Sequence, residues 1–99
     1  MMADCYVGGR LIEMPVILKG EESYEAGWIT VETDRAFRNP DSTLSTNIFR
    51  VWLRRGCLDE CNARCTIGSI VIVSGRLESV LNGDEREIRI IGEKFRYIP

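Results

Sequence analysis

Histidine is absent from this 99-residue chain. With it goes the side chain that most often serves as general acid or base near neutral pH, and the commonest metal ligand. There is also no Gly-rich phosphate loop of the Walker or dinucleotide type and no nucleophile motif, so catalysis would rest on scattered carboxylates with no recognisable pair. The chain is therefore read as non-enzymatic and without a cofactor. Lysine is scarce, Lys19 and Lys94 being the only two among thirteen basic residues, so the positive charge is carried by arginine. Long apolar runs are missing too. The stretch around Gly68 to Val73 is far short of the roughly 20 residues of a membrane span, and no basic-then-apolar leader opens the chain. A cytoplasmic location without a membrane partner is the expectation.

Cysteine is present four times, as Cys5, Cys57, Cys61 and Cys65, but never as a C-x-x-C pair. Without a leader these read as reduced thiols. Three of them recur every fourth residue along one side of an expected helix. A structural zinc site needs four ligands, so small buried side chains explain them better and no metal is expected.

What remains is the composition of an ordinary globular chain, 44% apolar and 28% charged, with length for a single domain over residues 1–99. The net charge of −2 does not by itself suggest an anionic partner. Its distribution does. Between Arg35 and Arg55 lie Arg35, Arg38, Arg50, Arg54 and Arg55 against the single acid Asp41, while Glu21, Glu22, Glu25, Glu32 and Asp34 lie just upstream. Guanidinium both pairs with phosphate and stacks on bases.

Periodicity outlines the elements. Cys5 to Leu18 is β-like but interrupted by Gly8-Gly9 and Pro15, which predicts a first strand that bends or bulges. Gly27 to Arg35 alternates Ile29, Val31 and Thr33 against Trp28, Thr30, Glu32 and Asp34, a strand with one dry face. Residues 36–45, with Asn39-Pro40-Asp41-Ser42, read as an exposed loop. Asn47 to Arg54 sets Phe49, Val51 and Leu53 against Ile48, Arg50, Trp52 and Arg54. Cys57 to Thr66 has helical spacing, and Ser69 to Leu77, apolar on both faces, reads as a buried strand, one face of which could serve a subunit contact. Leu81 to Asp84 supplies turn chemistry, and Glu87 to Ile98 closes the chain as a strand with Ile88, Ile90 and Gly92 opposed to Arg89, Ile91 and Glu93.

The order is β-β-β-α-β-β. That predicts an all-β fold, a five-stranded OB-fold Greek-key barrel with one short helix between its third and fourth strands, an architecture used to bind oligonucleotides and oligosaccharides.

Several segments in this order resemble the bacterial single-stranded DNA-binding protein family: Gly9-Arg10-Leu11 then Pro15, Ile29-Thr30-Val31 leading to Phe37, Phe49-Arg50-Val51-Trp52, Gly68-Ser69 then Gly75-Arg76-Leu77, and Arg89-Ile90-Ile91 to Phe95. The resemblance implies a barrel that assembles into dimers or tetramers and wraps single-stranded DNA over aromatic side chains, in replication, recombination or repair and beside replication proteins. Phe37 falls where the family places a stacking aromatic. Ile48 and Arg54 fall where it commonly has two more, and both are departures. The hairpin around Val80 to Asp84 is shorter than the family's. The sequence stops at Pro99, where housekeeping members continue into an acidic-tipped tail; either such a tail lies outside this sequence, or the chain is similar to the short, tail-less primosomal replication protein.

Trp52 with Phe37 is thus the expected stacking platform, and Arg35, Arg38, Arg50, Arg54 and Arg55 are the expected phosphate contacts, with Trp28, Thr30 and Ile48 on the same surface. Stacking suits a sequence-tolerant binder because every base offers a π-face. Trp52 as a core or subunit-interface aromatic is the plainer alternative. At the level of function, the alternative is a barrel that docks a replication partner and binds DNA weakly or not at all.

Overall fold

Alternation along each strand decides which side of the sheet is dry. The computed structural model describes residues 3–20, 25–38, 40–41 and 44–99, with the backbone alone at 36–38 and 44. In β1 (Asp4–Leu11) Val7 and Leu11 are buried, while Asp4, Tyr6 and Arg10 face out. The chain then breaks through Ile12 to Pro15, where proline has no N–H to give a ladder, and resumes as β2 (Val16–Ile17). The bend expected in the first strand is this break.

β3 (Gly27–Arg38) and β4 (Leu44–Leu53) form an antiparallel hairpin in register from Gly27↔Leu53 to Asp34↔Thr46. Both strands run further than the sequence predicts, because an irregularity between Asp34 and Arg38 absorbs the change of register and pairing resumes at Arg38↔Leu44. Ile29, Val31, Val51 and Leu53 are fully buried, the inward rows that the alternation predicts.

α1 (Arg55–Arg64) begins two residues before the expected helix and ends at Cys65, whose N–H donates to the Cys61 carbonyl at 2.9 Å. Leu58, Cys61 and Cys65 are the helix-side residues that enter the core. The Tyr97 hydroxyl donates to Glu60 at 2.9 Å and ties the helix to the last strand.

β5 (Ile70–Asn82) and β6 (Glu85–Ile98) pair antiparallel along their length, joined by Gly83-Asp84. Gly83 at φ 68 takes the left-handed conformation that tight hairpin turns require. The turn lies where the sequence places it. The ladder continues past Leu77 to Asn82↔Glu85, so the hairpin is a long arm rather than a short loop. A register shift at Ser74/Gly75 leaves Glu93 unpaired, so Gly92 faces inward before the shift and Phe95 after it.

The ring closes through five long strands. β1 pairs with β5, β5 with β6, β6 runs parallel to β4, β4 pairs with β3, and β3 returns to β1 at Arg10↔Glu32 and Leu11↔Val31. A side chain on Gly9 would run into the Glu32 carbonyl, so glycine allows this closing contact. The result is the expected OB-fold barrel with its helix between the third and fourth long strands. A further expectation fails. Ile70 to Val73 is not dry on both faces, for Val71 and Val73 are buried while Ile70 and Ile72 are 40% and 48% exposed. Nothing among the described residues covers that outer face.

Candidate nucleic-acid interface

The outward row of the β3–β4 hairpin holds the candidate site. Trp28 and Trp52 are directly opposite in the ladder, with ring centroids 4.9 Å apart and planes tilted by 56°. Such cross-strand aromatic pairs stabilise a sheet while leaving ring edges and faces near solvent. The Arg50 guanidinium lies 4.2 Å from the Trp28 ring centre, and that of Arg89, from β6, lies 4.5 Å from the Trp52 ring centre. Cation–π attraction holds both arginines over the rings without consuming their charge. Thr30 pairs with Arg50 and Ile48 with Glu32 along the same hairpin, and Ile48 is 61% exposed.

Trp28, Thr30, Ile48, Arg50 and Trp52 are therefore brought together on one face. Arg35 is not among them. Its Nε donates to the Asn47 side-chain oxygen at 3.0 Å, in the row of Phe49 and Val51. Arg54 is the residue at the N-terminus of α1, and Arg55 opens that helix with an ion pair to Asp59 at 3.5 Å. Neither arginine lines the hollows around Trp52. Phe37 and Arg38 end β3, and their side chains lie outside the described residues.

Two features of this face escape a reading of the sequence. The first is Arg89. Its position opposite Ile88 and Ile90 is legible, but its approach to Trp52 depends on the parallel pairing of β6 with β4 at Val51↔Ile90 and Trp52↔Ile91. The second is Arg10. Glu32 and Asp34 share the face of Trp28 and would repel phosphate, yet Arg10 reaches across from β1 to within 2.8 Å of Glu32 and 3.5 Å of Asp34. The two carboxylates in turn raise the Arg10 pKa, the hydrogen bond to Glu32 acting most strongly. On the arm, Arg76 bridges Glu78 at 3.0 Å and Glu93 at 3.2 Å, and Arg89 also meets Glu87 at 3.1 Å.

The helix cysteines play no part here. Burial, then the neighbouring Cys65, pushes the Cys61 thiol up to about 12, so it stays protonated and unreactive. Among the described residues no group of three or more His, Cys, Asp or Glu side chains could hold a metal ion. No described helix is long and apolar enough to cross a membrane.

No known protein-family profile matches the sequence, and no curated protein is similar to it in sequence. Solved structures are similar in fold. A small single-stranded DNA-binding protein from Streptomyces coelicolor superimposes with a TM-score of 0.65 at 16% identity, over 99% of this chain and 95% of that one. A Plasmodium falciparum single-stranded DNA-binding protein, solved with single-stranded DNA, gives 0.70 at 16% identity, over 100% and 97%. A mitochondrial single-stranded DNA-binding protein from S. cerevisiae gives 0.68 at 8% identity, over 99% and 96%. From end to end, the chain shares its fold with structures of single-stranded DNA-binding proteins.

Proposed function

We propose that this protein is a non-catalytic binder of single-stranded DNA that accepts most sequences and acts in replication, recombination or repair in the cytoplasm. The observation that carries this reading is the cross-strand Trp28–Trp52 pair flanked by Arg50 and Arg89 on an outward barrel face. Bases stack on the indoles or on the guanidinium planes above them, and the arginines meet the phosphates on either side. Thr30 and Ile48 border the strand's path, and Phe37 and Arg38 extend it along the β3 end. Arg35, Arg54 and Arg55 sit apart from the rings and contribute more weakly, as charges near the path. The single-stranded DNA in the Plasmodium structure of the same fold supports this choice of ligand.

The whole chain acts as one domain and assembles with copies of itself as a dimer or tetramer. Tyr6, Ile70, Ile72 and Ile98 are 83%, 40%, 48% and 64% exposed on the outer face of β1, β5 and β6, an apolar surface that water does not favour leaving bare. The same surface favours the second reading, in which the barrel mainly docks a replication protein. A labelled oligonucleotide followed by fluorescence anisotropy separates the two. Binding of single strand over duplex, weakening steeply as salt rises, supports DNA binding. No binding at low salt would leave the docking module.

A further inference from the structure

Three hollows open beside Trp52, and Arg89 lines each of them. One lies between β4 and β6 against Ile48 and Ile88, one is bordered by Arg76, Glu78 and Ile91, and one lies beside Leu18 and Val80. The guanidinium that stands 4.5 Å from the centre of the Trp52 ring is thus also the partition between them. Its side chain is only 26% exposed, low for an arginine on an outward row.

Two neighbours keep it there. The ring attracts the cation from one side, and the Glu87 carboxylate, two residues back on β6, accepts from Arg89 Nε at 3.1 Å. That bond uses one of the five guanidinium N–H groups, and it faces solvent, since the Glu87 side chain is 46% exposed. Exposed pairs of this kind contribute little and yield to a better partner. A phosphate is such a partner, because it takes a guanidinium through two parallel hydrogen bonds. While Arg89 stays in place, a base has no room to lie flat on that side of Trp52. Drawing the arginine outward frees that side and joins the hollows into one groove from Ile48 to Val80.

We infer that Arg89 is a gate on Trp52, latched by Glu87 and opened by a phosphate of the incoming strand, so that phosphate binding and base stacking at this ring are one coupled step. Glu87 is then a positioning residue that acts on the strand only through Arg89. The inference rests on the single-strand binding proposed above.

The test measures the affinity of a labelled oligodeoxythymidine by anisotropy, from low to high salt, in the parent protein, Arg89→Ala, Glu87→Gln and the double variant. Arg89→Ala loses a phosphate contact and the gate at once. Its slope of log affinity against log salt is expected to fall by about 1. It should therefore bind more weakly than the parent protein at low salt and at least as tightly at high salt, where phosphate contacts fade and the uncovered ring remains. Glu87→Gln is expected to tighten binding at low salt by up to about fivefold, a gain that disappears in the double variant. Weaker binding by Arg89→Ala at every salt concentration would overturn the gate and make the guanidinium itself the stacking surface. An equal gain from Glu87→Gln with and without Arg89 would overturn the latch and leave Glu87 a general repulsive charge. Failure of the parent protein to bind the oligonucleotide at low salt would overturn the proposed function itself.

Discussion

One barrel carries two outer faces that treat their apolar side chains in opposite ways. On the β3–β4 face, Trp28 and Trp52 lie against each other with Arg50 and Arg89 over their rings. On the β1–β5–β6 face, Tyr6, Ile70, Ile72 and Ile98 stand largely uncovered, with Lys94 and Arg96 among them. The inward rows beneath both supply the core, Ile29, Val31, Val51 and Leu53 under the first face and Val7, Val71 and Val73 under the second. The core fixes the fold and the outward rows decide what each face meets. A ring with a cation beside it suits a ligand that is itself aromatic and anionic. Bare isoleucine suits a surface that is apolar and preformed, such as a second copy of this chain.

Removing the common support is expected to have the largest effect and to abolish the contrast. Leu58→Ala empties a fully buried site between helix and barrel and should cost about 2–5 kcal/mol in urea unfolding, so that both faces fail together. Next come substitutions that separate the faces. Trp52→Ala should weaken single-strand binding by about 1–3 kcal/mol in an anisotropy titration while leaving sedimentation unchanged. Ile72→Glu should do the reverse, producing monomers in sedimentation with strand affinity per protomer retained. A finer change is expected from Arg89→Ala or Arg50→Ala, each lowering the slope of log affinity against log salt by about 1 if the guanidinium meets a phosphate.

The smallest effect tests the interior that both faces share. The Cys61 thiol, raised by burial from 9.0 to about 12, keeps its proton in the folded chain after the unfolded chain begins to lose it. Its contribution to stability is complete below pH 9 and is lost as the pH climbs from 9 toward 12. Unfolding midpoints measured across that range should fall more steeply for the parent protein than for Cys61→Ala.

Most of the barrel is legible in the sequence because period-2 alternation is strict where one side of a strand is dry. Phe49, Val51 and Leu53 against Ile48, Arg50 and Trp52 give both the strand and its outward row, and Asn82-Gly83 gives the hairpin turn. The extent of the β5–β6 arm is less legible, since alternation past Leu77 is carried by partly exposed residues such as Val80 and Leu81. The site is legible in part. Trp28 and Trp52 are each visible, but their pairing depends on hairpin register. Arg10 and Arg89 reach the site only through the β1–β3 and β4–β6 contacts, which join residues far apart in the chain and have no local signature. Local charge also misleads. The run from Arg35 to Arg55 reads as one basic stretch, yet Arg35 leans on Asn47 in the other row and Arg55 turns to Asp59 on the helix.

The most direct test of the central claim is tryptophan fluorescence during titration with single-stranded and duplex DNA, at low and high salt, in the parent protein and in Trp52→Ala. Stacking on the Trp28–Trp52 pair predicts quenching by the single strand alone, reduced by salt and largely lost in the variant. Binding with unchanged fluorescence, or quenching that survives fully in Trp52→Ala, would contradict it.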